Sequence, residues 1–195
     1  MQDYGEKEYW NQRYIKQSDQ TFDWLEDYDS LRQLITQHIN LDSKILIIGC
    51  GNSLLSEEMY NDGFHNIINI DISPVVINQM KKRSNINFPN MKWYVMNVLN
   101  MEFDPNTFDA VIDKSTLDTI LCGEMSFYNT AVMINEIQRV LKTNGKYICV
   151  SYGTPETRIK HFNREHLSFE INCYMISNKI FINLKTNYYR FKSFS

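Results

Sequence analysis

The sequence predicts an α/β protein built on a doubly wound, mostly parallel sheet that ends in an antiparallel β-hairpin. Two observations carry that prediction. From Lys44 onward, short apolar runs with strand character alternate with helical patterns, which is the order of a parallel βαβ sheet. After Gly153 the pattern changes to two β-rich stretches, "HLSFEINCYMI" and "KIFINLKTNYYRF", separated by "SNK", which reads as a terminal hairpin.

Taken in order, residues 2–40 are rich in aromatic and charged side chains. Trp10 and Tyr14 stand at i,i+4, and a helix runs through Leu31, Leu34 and Ile35. Residues 1–40 therefore form a helical flank or lid on a single domain spanning 1–195. The first strand is "KILIIGC", followed by a helix from about Leu54 to Asn61. "NIINIDI" is the second strand, with a helix from Pro74 to Arg83 after it, and "MKWYVMNV" is the third, followed by a short loop. "FDAVIDKS" leads into a helix through Ala131 to Leu141, and "GKYICVSY" makes the fifth strand. Asn61-Asp62-Gly63 and Asn144-Gly145 stand where helices should stop.

With 195 residues, of which 43% are hydrophobic, the chain can bury one core. Twenty Lys and Arg against 23 Asp and Glu give a net charge of −3, and only Lys81-Lys82-Arg83 clusters positive charge, so no nucleic-acid footprint is expected. No apolar stretch approaches the roughly 20 residues that span a bilayer. The expectation is a soluble, cytoplasmic chain, monomeric for want of any oligomerisation motif. Cysteines 50, 122, 149 and 173 lie far apart with no C-x-x-C pair, which indicates neither a zinc site nor a disulfide framework. Most of them read as small buried residues, and no metal is expected.

The stretch "ILIIGCGNS" ends a strand in two glycines one residue apart. A dinucleotide fingerprint needs a third glycine three positions after the second, where this chain has Leu54, and no Gly-Lys-Ser/Thr of a phosphate-binding loop follows. What remains is a tight turn at a strand's C-terminal end, with Asp71 about twenty residues on at the end of the next strand. A carboxylate there offers two acceptors to a ribose diol, so the loop suits a nucleoside without requiring phosphate. Asn97, at the third strand's end, can meet an adenine edge while the Val98 N–H donates to a ring nitrogen. A simple turn asparagine would read the same way.

These blocks resemble the class I S-adenosylmethionine-dependent methyltransferases, and more narrowly the small methyltransferase-like enzymes that act on lysines of translation elongation factor 1A. The resemblance rests on "EYWNQRY", "FDW" at 22–24, "ILIIGCGNSLLSEEMY", "NIDIS", "VVINQM" and "IDKSTLDTIL", in order and spacing. It implies a Rossmann-like fold that takes S-adenosylmethionine and yields S-adenosylhomocysteine. It further implies that Trp10, Tyr14 and Trp24 close over the cofactor and that Gly49 and Gly51 let the backbone approach its amino-acid part. Asp71 and Ile72 would hold ribose and cover adenine, Asn97 and Val98 would read the adenine edge, and Lys114 would line the methionine end. The chain departs from the broad pattern at Ile47, where many class I enzymes carry an acid, and at Ser53, where they carry a third glycine. It departs from the narrower family at Asn97, usually Asp, and weaker cofactor binding is the expected consequence.

A lysine acceptor must lose its proton before it attacks. Asp113 and Asp118 in "IDKSTLD", at the C-terminal end of the fourth strand, are the expected catalytic carboxylates, although Asp113 also suits an ion pair or a helix cap. Tyr152 is a further candidate for an aromatic acceptor slot, with a core or surface role the commoner use of a tyrosine. The implied activity is protein-lysine N-methylation with elongation factor 1A as partner. The alternatives are a small-molecule methyltransferase on the same scaffold and a non-catalytic binder of the same cofactor. Leu54 and the terminal hairpin argue against a dehydrogenase.

Overall fold

Four branched apolar residues in a row, Ile45–Ile48, form β1, and all four are buried. A strand buried on both faces needs cover on both. The computed structural model, which describes residues 4–18, 20–176 and 179–186, supplies it. Ile45 and Ile47 face a core made with α2 (Tyr28–His38), α3 (Leu55–Asn61) and α4 (Pro74–Ser84). Leu46 and Ile48 face a second core, filled by α5 (Thr116–Cys122), α6 (Ser126–Val140) and α7 (Pro155–Phe162).

The remaining strands are β2 (Ile67–Asp71), β3 (Lys92–Val95), β4 (Phe108–Lys114), β5 (Leu141–Ser151), β6 (Phe169–Ile176) and β7 (Lys179–Thr186). They form one sheet in the order β3-β2-β1-β4-β5-β7-β6. The first five strands pair in parallel, and β7 inserts antiparallel between β5 and β6. The doubly wound sheet with a terminal hairpin is therefore as the sequence predicts. Strand order reverses between β1 and β4, and in open α/β sheets ligands sit at that reversal, beyond the carboxyl ends of the strands.

Local chemistry fixes the helices that frame this point. Asp27 accepts from the N–H of Ser30 at 3.0 Å to start α2, and Ser73 followed by Pro74 starts α4. α1 (Lys7–Lys16) lies against α4, where the Gln79 amide donates to the Tyr14 carbonyl at 2.9 Å and the Ser73 hydroxyl donates to Asn11 at 2.7 Å.

The structure also differs from the reading of the sequence. The helical segment before β5 is two helices: Gly123 ends α5, and Met125 takes left-handed backbone at φ +49° before α6. Because Leu141 is already extended, Asn144-Gly145 lies inside the start of β5 and does not stop a helix. α7 has no counterpart in the sequence reading, since it buries only His161 and Phe162 and leaves no apolar period to detect. Cys50 and Cys149 are buried, but Cys122 and Cys173 are exposed, and all four are free thiols. Residues 1–3 and 19 of the flank, the "SN" of the hairpin turn and residues 187–191 of its second stretch lie outside the described residues.

Candidate cofactor cleft

At the reversal point the glycine loop, the ends of β2 and β4 and the helical flank line one cleft. All ten side chains and backbones that the family resemblance points to line it, from Trp10 in α1 to Lys114 at the end of β4. Gly49 and Gly51 have φ of +55° and +54°, a region that costs any residue with a Cβ. Their neighbours add a steric reason. A Cβ on Gly49 would overlap the Thr116 hydroxyl, which donates to the Ile48 carbonyl at 3.0 Å, and one on Gly51 would stand 2.9 Å from the Tyr14 hydroxyl.

Asp71 ends β2 with its side chain buried. One carboxylate oxygen accepts from the Gly51 N–H at 3.0 Å and the other from the Ser73 N–H at 2.9 Å. Burial pushes its pKa up to about 6 against the opposing backbone N–H groups of Ser73, Gly51 and Ile72. Each oxygen keeps a second lone pair, enough for the two hydroxyls of a diol. Ile72 and the buried Val98 add apolar wall. Asn97 is exposed, and its Oδ1 accepts from the Leu99 N–H at 2.9 Å, so it is a turn asparagine as well as a cleft residue.

The aromatic residues of the flank converge over the cleft. Trp10 stacks on Tyr14 with centroids 5.9 Å apart, meets Trp24 edge to face at 6.4 Å, and donates its indole N–H to the Tyr4 carbonyl at 2.8 Å. Burial and the nearby Asp71 raise the Tyr14 pKa, so its hydroxyl stays protonated.

Lys114 lines the cleft wall, and its ammonium is already held. It pairs with Asp23 and donates to the Glu26 carbonyl at 3.1 Å. Asp23 also accepts from the Ser53 hydroxyl and, at 3.4 Å, from the Leu54 N–H, while Asn52 donates to the Gln20 carbonyl at 2.7 Å. The stretch from Gln20 to Glu26 is thus fastened to both the glycine loop and β4. Burial lowers the Lys114 pKa, and Asp23 opposes that shift.

The two expected catalytic carboxylates need correction, because neither lines the cleft. Asp113 is buried on the opposite face of β4, the face of Val111. There it accepts from the N–H groups of Thr116 (2.8 Å) and Leu117 and from the Tyr147 hydroxyl (2.7 Å), capping α5. Burial pushes its pKa up to about 7. Asp118 is spent on Arg158 (2.7 Å), the Ser151 hydroxyl (2.5 Å) and the Tyr152 N–H (2.8 Å), which ties α5 to the end of β5 and to α7. Tyr152 itself is 79% exposed.

Sequence reasoning missed Asp23, Arg13 and Thr116. Asp23 lies inside the "FDW" block and Arg13 follows Trp10 by three, so each stood in a block quoted for its aromatic neighbours. Among the described residues no group of acidic, His and Cys side chains is placed to hold a metal, and no helix is long and apolar enough to cross a membrane.

Comparison with known proteins follows the same line. A family profile described as a methyltransferase domain matches residues 39–191. The eEF1A lysine and N-terminal methyltransferase of Mus musculus is 37% identical over 168 residues, covering 84% of this chain and 24% of that protein. The chain thus spans about a quarter of that relative's length. EEF1A lysine methyltransferase 4 of Mus musculus is 32% identical over 177 residues, covering 86% of this chain and 69% of that protein. The fold matches that of N-methyltransferase NodS from Bradyrhizobium japonicum WM9, solved in complex with S-adenosyl-l-homocysteine, with a TM-score of 0.68 at 16% identity over 92% of this chain and 98% of that one. Matched over most of its length by the family profile and by a relative it largely covers, the chain belongs to the methyltransferase-domain family.

Proposed function

We propose that the chain is an S-adenosylmethionine-dependent protein-lysine N-methyltransferase acting on elongation factor 1A. The observation that carries the reading is the convergence of the flank aromatics, the glycine loop and the ends of three strands on one cleft. The residues present fit the cofactor: the Asp71 carboxylate for ribose, Ile72 and Val98 for adenine, and an aromatic roof from Trp10, Tyr14 and Trp24. The substrate assignment is supported by the names of the two relatives, both methyltransferases of that factor.

The bound cofactor supplies an activated methyl group on a sulfonium. What this chain's residues do is hold the two reactants in line and keep water out, so positioning is the main contribution. A neutral lysine amine at pH 7 costs roughly 4–5 kcal/mol from its reference pKa near 10.4. Asp71 is the carboxylate that lines the cleft, and it is engaged by Gly51 and Ser73. Asp113 and Asp118 lie outside. The chain's part in deprotonation is then desolvation by the aromatic roof, which disfavours the ammonium, so that the acceptor gives its proton to bulk solvent as it enters the cleft.

The test is incubation of the purified protein with methyl-labelled S-adenosylmethionine and elongation factor 1A, followed by peptide mass spectrometry, with Asp71→Ala as control. Label on a lysine of the factor that disappears in the variant is expected. Cofactor binding without label on the factor would overturn the substrate assignment. Binding without transfer to any acceptor would make the protein a non-catalytic binder.

A further inference from the structure

The rim of the cleft carries apolar surface that the fold leaves unused. α5, which lines the cleft with Thr119 and Ile120, ends at Gly123, and the start of α6 then presents Met125, Phe127 and Tyr128 within four residues. The three side chains are between 61% and 69% exposed. Single exposed apolar residues are ordinary on a protein surface, but a cluster of them bordered by charge marks a contact face. Phe127 leans on His161, with centroids 5.5 Å apart, while the Tyr128 ring and hydroxyl have no partner among the described residues. Met125 adds a second sign. Its left-handed backbone, at φ +49°, is unfavourable for a residue with a Cβ, and its side chain gains no burial in return.

Charge beside this shelf points to what covers it. Gly5, which lines the cleft, meets Gly123 backbone to backbone, so closely that a Cβ on Gly5 would stand 2.5 Å from the Gly123 Cα. Glu6 and Glu124 flank that seam. Both are exposed, and neither forms an ion pair among the described residues, although Lys7 follows Glu6 in the chain. The carboxylates deeper in are engaged: Asp23 by Lys114, Asp71 by the Gly51 and Ser73 N–H groups, Asp118 by Arg158. Two unpaired carboxylates next to an exposed aromatic shelf suit a protein segment with a basic residue among apolar ones, because the carboxylates attract its ammonium and the rings cover its hydrocarbon stem. A second copy of this chain fits less well, since a two-fold contact sets each patch against an identical one and brings like charge to like. We propose that Met125, Phe127 and Tyr128, with Glu6 and Glu124 at their inner edge, form the docking surface for the lysine-bearing face of the protein substrate, and that its lysine enters the cleft beside the Gly5–Gly123 seam. The assignment rests on the substrate reading above and adds where that substrate is held.

Steady-state methylation of elongation factor 1A, together with isothermal titration of S-adenosylhomocysteine, separates docking from cofactor binding. Phe127→Ala/Tyr128→Ala and Glu6→Lys/Glu124→Lys should each raise the KM for the factor about tenfold, with kcat changed less than about threefold and the Kd for S-adenosylhomocysteine less than about twofold. The wild-type KM should also rise with salt between about 50 and about 300 mM, and the charge-reversed variant should lose that dependence. Thermal melting checks that both variants are folded; the charge reversal alters only exposed side chains and carries the test if the aromatic pair is not. An unchanged KM in the folded variants would overturn the docking surface. So would a Kd for S-adenosylhomocysteine that rises as much as KM, which would mean that the shelf only supports the cleft. Wild type that is dimeric by light scattering, and monomeric with KM unmoved in Phe127→Ala/Tyr128→Ala, would give the shelf to a second copy and overturn the proposal. Wild type that binds S-adenosylhomocysteine but methylates no lysine of the factor would instead overturn the substrate reading, and this surface as its dock with it.

Discussion

The Asp23–Lys114 pair offers the sharpest test of how the flank is held. The Lys114 side chain is 6% exposed and Asp23 20% exposed, and 91 residues separate them in sequence. Replacing Asp23 with Asn keeps the shape and one of the two acceptor oxygens that Ser53 and Leu54 use but strands a buried ammonium. Breaking a fully buried pair from one side costs about 3–5 kcal/mol. Partial exposure of Asp23 and the remaining Glu26 carbonyl reduce that to about 2–3 kcal/mol, or a fall in Tm of about 5–10 °C for a chain of this size. Lys114→Met removes the charge itself and leaves Asp23 with water and its two other donors, so its cost should stay near 1 kcal/mol or below. In Asp23→Asn/Lys114→Met the Asn loses its penalty, giving a coupling of about 2 kcal/mol in the double-mutant cycle. Reversible thermal melts of the four proteins measure it. Additive shifts, or a Lys114→Met penalty as large as that of Asp23→Asn, would refute the reasoning.

Other consequences are simpler to state. Gly49→Ala combines a left-handed backbone, costing about 1–2 kcal/mol, with a clash against Thr116, and should lower Tm and remove the stabilisation by S-adenosylhomocysteine; an unchanged ligand shift would show that the turn tolerates a Cβ. With the Asp71 pKa at about 6, the ionised carboxylate proposed to accept from ribose is lost as pH falls, so the Kd for S-adenosylhomocysteine should rise about tenfold from pH 7 to pH 5. Asp71→Asn should flatten that profile, and a flat wild-type profile would count against a ribose role. Since the expected carboxylates lie outside the cleft, kcat should climb about tenfold per pH unit between pH 6 and pH 8 as the acceptor amine deprotonates. A plateau from pH 7 would mean that the acceptor amine is already neutral there and would overturn this expectation.

The strands and the cleft were legible because each rests on a local signal. A run such as Ile45–Ile48 announces a strand buried on both faces, and Asp71 at the end of β2 and Asn97 just past β3 are legible once the strands are placed, whereas Lys114 is pointed to only by the family resemblance. Asp113 shows how the same logic fails when it stops one step early. Proximity to the strand end suggested catalysis, but side chains alternate along a strand, and Asp113 shares the face of Val111 while Lys114 shares that of Ile112. Counting by two from the buried positions would have turned its carboxylate toward Tyr147. The partners of Asp23 and Asp118 were out of reach, because pairings over 91 and 40 residues depend on tertiary packing and leave no periodic trace. α7 escaped for a related reason, with two buried residues in eight.

Those long-range pairings give the flank a role beyond covering a slot. Asp23 holds Lys114, the Ser53 hydroxyl and the Leu54 N–H together, and Gln20 holds Asn52 beside them. The aromatic roof, the glycine loop and the end of β4 therefore share one set of fastenings, and lifting the roof releases the loop. If ligand binds only the fastened form, its apparent affinity scales with the fraction fastened. Asp23→Asn, whose side chain touches no ligand position, should then weaken S-adenosylhomocysteine as well as lower Tm, and the two effects should shrink together when Lys114→Met is added. An unchanged Kd in Asp23→Asn, measured well below its Tm, would mean that the roof and the loop are held independently and that the ligand reads the loop alone.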